Sequence, residues 1–293
     1  MREPWALPIG RRLGRVVLAA VVVLPLAAFT SAERLFAPSS DLWPRWEQHD
    51  PASAAVIDFT AWDAFLKVHV QVGDDGVHRL DYGNLAAGQR DTLAQIVADL
   101  AAVPISTYGR REQFAYWVNL YNVVTVKLIA DHHPVESIRD IDISPGLFAS
   151  GPWDKDLVTV EGEALTLNDI EHRILRPIWN DPRIHYAVNC ASIGCPNLAV
   201  DAFTGAGLEE QLEAAARSYI NDPRGVTVAN GEVTVSKIYD WFFEDFGESV
   251  SLLLQHLKRY AEPPLAAQLE DIGTINGTAY DWSLNNTGTA AGG

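Results

Sequence analysis

Arg110-Arg-Glu-Gln-Phe-Ala-Tyr-Trp-Val-Asn-Leu-Tyr-Asn-Val-Val-Thr-Val-Lys-Leu-Ile-Ala-Asp-His132 is the longest helical stretch of the chain and predicts a helix ending before Pro134. The residue ahead of a proline is biased away from helix, which sets that end. Phe114, Trp117, Val118 and Tyr121 recur at helical spacing and predict a core-facing surface. Ala115, Asn119 and Asn122 share a face at intervals of four and three. An amide inside an apolar helix carries a propensity cost and wants hydrogen-bond partners. Asn122 is therefore expected to satisfy a buried loop. For Asn119, and for Glu112 one turn nearer the N-terminus, a structural role and a place in a pocket both stay open.

Outward from this helix, residues 59–66 and 92–101 also carry helical spacing. Residues 68–82 alternate around Gly73, Asp74, Asp75 and Gly76 and predict a hairpin, and 157–160 predict a short strand. Thr166, with Asp169 in the capping-box position, opens a helix of about ten residues that Pro177 ends. Residues 184–188 read as a buried strand and 189–197 as a loop bearing Gly and Pro. Helices are expected over 208–220 and 250–260. Asn230-Gly231 centres a hairpin over 226–235 because the turn needs positive φ. Ser236 is placed to cap an aromatic-rich helix through Phe246, whose Trp241, Phe242 and Phe243 read as packing. The class is α+β: a helix-rich single domain over 58–286 with a small antiparallel sheet, a lead-in at 33–57 and a disordered tail at 287–293.

Residues 1–32 read as a signal peptide. Arg11, Arg12 and Arg15 precede an apolar run at 16–28, and Thr30-Ser31-Ala32 supplies small residues for cleavage. The run is shorter than the roughly 20 residues that span a bilayer, which favours removal over an uncleaved anchor. The protein is thus expected to be exported, periplasmic or secreted, meeting a membrane only through that segment if it is retained. The formal charge is −16; residues 1–32 carry four Arg and one Glu, a net +3, so the remainder carries −19. Such a surface repels phosphate backbones, and no nucleic-acid partner is expected. There is no phosphate-binding Gly-rich loop, Gly-x-Ser-x-Gly elbow or His-Glu-x-x-His pair, and no cofactor or metal is expected.

Chemistry concentrates in His185-Tyr-Ala-Val-Asn-Cys190-Ala-Ser-Ile-Gly-Cys195-Pro196, which holds both cysteines. A thiol just past a strand, followed by small residues, can approach a substrate and needs a histidine base within reach. His185 lies five residues before Cys190, on the opposite face of a straight strand. His172, beside Glu171 on the preceding capped helix, is the preferred base. Read from the residues alone, a disulfide between Cys190 and Cys195 stands ahead of a nucleophile, because the pair is local and an exported chain meets an oxidising compartment. A redox pair stays open as a third reading.

Phe114-Ala-Tyr-Trp-Val-Asn-Leu-Tyr-Asn122, Asp169-Ile-Glu-His-Arg-Ile-Leu-Arg176 and the 185–196 segment, in that order, resemble the domain of unknown function 547 family. The likeness extends outward to residues 62–82 and 280–285. In that family the position matching Cys195 is often Ser, so the resemblance implies that Cys190 is a lone functional thiol. It also marks Glu171, His172 and Glu112 as family positions. By analogy it implies a circularly permuted papain- or transglutaminase-like arrangement. The resulting expectation is an exported thiol-dependent hydrolase or acyl transferase acting on an amide or thioester of a small-molecule or peptide substrate. Cys190 attacks, His172 or His185 moves the proton, Glu112 or Glu171 orients the base, and Asn119 and Glu171 contact substrate. The alternative is a non-catalytic envelope binding module in which Cys190 and Cys195 close a disulfide beside a ligand groove.

Overall fold

In a computed structural model the structure describes residues 37–146 and 151–287. The expected signal peptide at 1–32 and the expected disordered tail, save Thr287, lie outside these residues. Among the described residues no helix is long and apolar enough to cross a membrane.

Helix α1 (Thr60–His69) runs into the hairpin β1 (Val70–Val72) and β2 (His78–Leu80), followed by α2 (Ala87–Ala101) and α3 (Arg110–His132). Strands β3 (Val158–Val160) and β4 (Glu163–Leu165) form a second hairpin. A π-helix (Asp169–Leu175) then passes directly into α4 (Arg176–Trp179). Helices α5 (Ile184–Ala187) and α6 (Leu208–Ile220) lead to β5 (Val226–Ala229) and β6 (Glu232–Ser236). Three further helices, α7 (Ile238–Trp241), α8 (Val250–Tyr260) and α9 (Pro263–Leu269), precede β7 (Gly277–Ala279). The architecture is α+β and helix-rich. Among the described residues the single antiparallel sheet expected becomes three small sheets, in the last of which β7 adds to β6 in parallel.

Local chemistry explains most of these elements. Asn230 and Gly231 hold φ of 54° and 79°, as the β5–β6 turn requires. Asp169 accepts from the Thr166 amide (3.0 Å) while the Thr166 hydroxyl accepts from the Asp169 amide (2.9 Å), the reciprocal bonds of a capping box. Three expectations fail. The capped helix does not end at Pro177, which sits in the first turn of α4, where its missing N–H is tolerated, and the helix runs on to Trp179. Residues 184–188 are not a strand: Asp181 holds the Arg183 amide (2.9 Å) and the Ile184 amide bonds back to the Asp181 carbonyl, which starts a helical turn. The aromatic helix expected through Phe246 stops at Trp241, after which the chain runs in turns to a left-handed Glu248.

Helix α3 is buried on every side from Gln113 to Val126 and forms the axis of the main core, with Trp46, Trp62, Tyr82 and Leu175 around it. A second core collects Tyr186, Tyr219, Tyr239, Phe246, Leu253 and Tyr260 between α6, α8 and the third sheet. Helix α5 joins the two, since Ile184 and Ala187 belong to the first and Tyr186 to the second.

Both asparagines of α3 are structural fasteners. Asn119 donates to the Phe203 carbonyl (2.7 Å) and accepts from the Phe203 amide (3.0 Å). Asn122 treats the Ala187 carbonyl (2.9 Å) and the Asn189 amide (2.9 Å) in the same way. Replacing Asn119 by Leu would orphan two buried backbone groups at about 1–3 kcal/mol each. Urea unfolding of Asn119→Leu should show stability reduced by about 2–5 kcal/mol; an unchanged midpoint would contradict this assignment.

Candidate functional site

A cavity of about 730 Å³ opens where the π-helix, the Cys190 loop and the segments around Trp241 and Tyr280 converge. Glu171, His172, His185 and Cys190 all line it, together with Tyr121, Arg139, Trp153, Cys195, Trp241, Phe242, Tyr280 and Trp282. Four of the six residues singled out from the sequence are therefore brought together. Glu112 and Asn119 are not. Glu112 accepts from the Ile57 amide (3.2 Å) in the first turn of α3, and Asn119 is committed to Phe203.

The π-helix explains why two consecutive residues serve one cavity. Its wider turn bonds the Arg176 amide to the Glu171 carbonyl, five residues back. Glu171 and His172 are both buried and both line the cavity. The backbone carbonyls of His172 and Arg173 turn outward to accept the Asp41 and Trp43 amides, each at 3.0 Å. Arg173 lies over the Trp43 ring at 4.6 Å, which helps hold the lead-in there.

The thiol reading fails on the first observation. Cys190 and Cys195 are joined in a disulfide, with Cα atoms 6.3 Å apart, within the range such bridges adopt. Neither sulfur is a free nucleophile, and the expectation of a cysteine hydrolase or acyl transferase is overturned. The sulfurs bond to other groups than histidine. Cys195 Sγ accepts from the Tyr280 hydroxyl and the Cys190 amide, each at 3.1 Å, and Ser192 Oγ lies 3.2 Å from Cys190 Sγ.

The surrounding loop is fastened without the bridge. Asn189 donates to the Pro196 carbonyl (2.6 Å) and accepts from the Ala191 amide (2.8 Å). Gly194 bonds to the Asp281 carbonyl at 2.7 Å, and a Cβ there would lie 2.7 Å from the Asp281 nitrogen. Only glycine permits this approach, which delivers Tyr280 to the disulfide.

Both histidines are engaged elsewhere. His185 Nε2 donates to Asp245 (2.6 Å) and Nδ1 faces Glu171 (3.5 Å), while the ring stacks on Phe242 at 4.3 Å. Burial would lower its pKa, but the hydrogen bonds to Asp245 and Glu171 outweigh burial and raise it. His172 goes the other way. Burial lowers it to about 4, and Arg176 donates to its Nδ1 (3.0 Å), which leaves the proton of the neutral ring on Nε2.

Arg176 also donates to Asp245 (2.6 Å), Glu244 (2.6 Å) and the Pro38 carbonyl (2.8 Å). Burial would raise both carboxylates; for Glu171 the charge that His172 gains in acid, the His185 hydrogen bond and the charges of His185 and Arg176 lower it to about 2, and for Asp245 the hydrogen bonds from His185 and Arg176 do the same. The deep wall of the cavity is thus an ionised Glu171, a cationic His185 and a neutral His172. Among the described residues no group of three or more His, Cys, Asp and Glu side chains could hold a metal ion.

Arg139 and Tyr280 were missed as lining residues, Asp245 and Arg176 as the partners that hold His185 and His172, and Trp241 and Phe242 prove to be cavity wall as well as packing. Arg176 carried a local signal, four residues after His172 on one helix. Asp245, sixty residues from His185, carried none.

Fold and site together define a helix-rich α+β domain with an aromatic-walled cavity beside a disulfide. Within it, residues 105–220 match the family model described as Protein of unknown function, DUF547, a span that contains all three motifs quoted above. The outer segments of the resemblance, 62–82 and 280–285, lie beyond the matched residues. No curated protein matches the chain, and no solved structure does.

The opposed shifts of the two histidines have measurable consequences. Folding releases the proton from His172, whose pKa drops from 6.5 to about 4, so stability is lost as pH falls through that interval. Glu171 and Asp245 contribute fully above 4.5 and 3.8, and that contribution fades as pH falls towards 2. His185 acts in reverse, its contribution complete below 6.5 and lost as pH rises through its raised folded value. Urea unfolding should show His172 costing about 3 kcal/mol at pH 4 relative to neutral pH, and His172→Asn should flatten that part of the curve. In ¹⁵N NMR at pH 6.5, His185 should show two protonated ring nitrogens and His172 only Nε2–H. A neutral His185 would contradict the assignment.

Proposed function

We propose that this protein is a non-catalytic binding module of the cell envelope that holds a small ligand in the 730 Å³ cavity. The observation that carries the reading is the state of the reactive groups around the cavity. The thiols are bridged, and the His185 ring nitrogens are held between two carboxylates, yet the space beside them is large and furnished. A volume of about 300–1,000 Å³ with aromatic walls and a few placed polar groups is characteristic of ligand sites.

Trp153, Trp241, Phe242, Tyr280 and Trp282 supply broad apolar faces, and Trp241, Tyr280 and Trp282 lie within 4.7–5.5 Å of one another. Glu171 offers an acceptor and the His172 Nε2–H a donor, 3.9 Å apart. Arg139, over Trp282 at 5.2 Å, adds a cation. This furnishing suits a compact molecule with one flat apolar face and a polar edge that both donates and accepts. The export-like N-terminal residues and the local disulfide support a place outside the cytosol. The circularly permuted papain- or transglutaminase-like arrangement does not enter this reading, because the analogy required a free thiol.

Tryptophan fluorescence titrations with monosaccharides, amino sugars and free amino acids test the proposal. At least one compound should quench saturably. Trp241→Ala and Glu171→Gln should each weaken its binding about tenfold or more, a loss of about 1.4 kcal/mol or greater. Quenching indifferent to both substitutions, no saturable quenching by any compound, or turnover of amide or thioester substrates would overturn it.

A further inference from the structure

We propose that the Cys190–Cys195 disulfide is a thiol–disulfide exchange site for a low-molecular-weight thiol entering the cavity, an activity beyond ligand binding. Four observations of the bridge carry this. Both of its residues line the cavity wall instead of lying wholly inside a core. The two ends are unequal: Cys190 is half-buried, whereas Cys195 is only 4% exposed, so an incoming thiol reaches Cys190 Sγ first. The buried sulfur has a donor of its own in the Cys190 amide (3.1 Å), and the Tyr280 hydroxyl stands between the two sulfurs, 3.1 Å from Cys195 Sγ and 3.2 Å from Cys190 Sγ. Burial raises the Tyr280 pKa and keeps it a phenol. Hydrogen bonds to a thiolate are charge-assisted, so these donors favour the departed sulfur over the bridged one.

The fourth observation is that the bridge is redundant for the loop. It closes a short segment, so its constraint on the unfolded chain is smaller than that of a long loop. That segment is separately fixed by Asn189, by the Ile193 and Gly194 amides on Ser283 and Asp281, and by Tyr219, which donates to the Gly194 carbonyl (2.6 Å). Arg224 adds bonds to the Ile193 and Cys195 carbonyls. An opened bridge therefore leaves the loop in place.

The exchange balances as follows. A thiolate RS⁻ attacks Cys190 Sγ; the new bond is R–S–S–Cys190, the bond broken is Cys190–Cys195, and Cys195 leaves as a thiolate. A second RS⁻ attacks the R sulfur of the mixed disulfide, releasing RSSR and the Cys190 thiolate. Two small thiols are oxidised to one disulfide, the protein takes two electrons, and the two thiol protons pass to the two cysteines. With RSSR in excess the same steps run backwards.

Glutathione serves as the probe. The full chain is equilibrated in glutathione buffers from fully reduced to fully oxidised, acid-quenched and alkylated with a maleimide, with thiols counted by mass and folding followed by circular dichroism. The bridge should open in a single two-electron transition while the protein stays folded. With oxidised glutathione, Cys195→Ser should gain one glutathione on Cys190, and folded Cys190→Ser should gain none. Tyr280→Phe should slow opening about tenfold, the loss of one hydrogen bond to the leaving sulfur. The proposal is overturned by a bridge that resists reduced glutathione in the folded protein and yields only with denaturant. Opening that coincides with unfolding, or glutathione found on Cys195, overturns it equally. Because the wild-type titration stands alone, a variant that fails to fold does not decide the outcome. Ligand titrations of the oxidised protein report separately on the binding reading.

Discussion

One oxygen of Asp245, Oδ2, accepts from both Arg176 and His185, each at 2.6 Å, in the turns that follow Phe242. Its neighbour Phe246 belongs to the second core, while Ile184 and Leu175, beside the two donors, belong to the first. The two cores are thus tied together by charge as well as by packing. Removing one partner of such a set leaves a buried ion uncompensated, which costs far more than the intact set gains over an apolar equivalent. The arrangement makes better sense as a device for positioning than as a source of stability. It raises the His185 pKa, and the hydrogen bond and charge of His185, beside those of His172 and Arg176, help lower that of Glu171 in the deep wall of the cavity.

Arg176 links this charge set to the backbone irregularity. It donates to His172 while its own amide closes the π turn on Glu171. A regular α-helix would place consecutive residues about a quarter-turn apart and would satisfy the His172 carbonyl from the Arg176 amide, whereas the Arg173 carbonyl would face Pro177, which has no N–H to give. Here the lead-in chain takes those carbonyls, and Pro38, which accepts from Arg176, lines the cavity. The lead-in therefore helps build the site.

What could be read from residues alone followed the range of the interactions. The α3 helix, the Asn230-Gly231 hairpin and the Thr166–Asp169 capping box each depend on contacts a few residues apart, and each is found as expected. The capped segment nevertheless becomes a π-helix, because apolar spacing over seven residues does not distinguish the two turns. Residues 184–188 show the same ambiguity, since a short apolar run suits a buried helical turn as well as a strand. Glu171, His172, His185 and Cys190, which stand in two of the quoted motifs, line one cavity. Their partners Asp245 and Tyr280 arrive from sixty and ninety residues away, with no periodicity to announce them.

The cysteines show how a local argument and a comparative one can diverge. Proximity in sequence and an oxidising destination favoured a disulfide, and resemblance to a family in which one cysteine is often serine favoured a free thiol. The structure sides with proximity. It also supplies a reason that a lone Cys190 would make a poor acyl-transfer nucleophile in this setting. Its hydroxyl neighbours, Ser192 and Tyr280, are 2.8 Å apart and bonded to each other, and burial keeps Tyr280 protonated. A neutral phenol can stabilise a thiolate by donation but cannot take a proton from a thiol. His172, the one neutral imidazole on this wall, has Nδ1 occupied by Arg176 and its proton on Nε2, so it presents no free basic nitrogen to the cavity. These surroundings can stabilise a leaving sulfur far better than they can activate an attacking one.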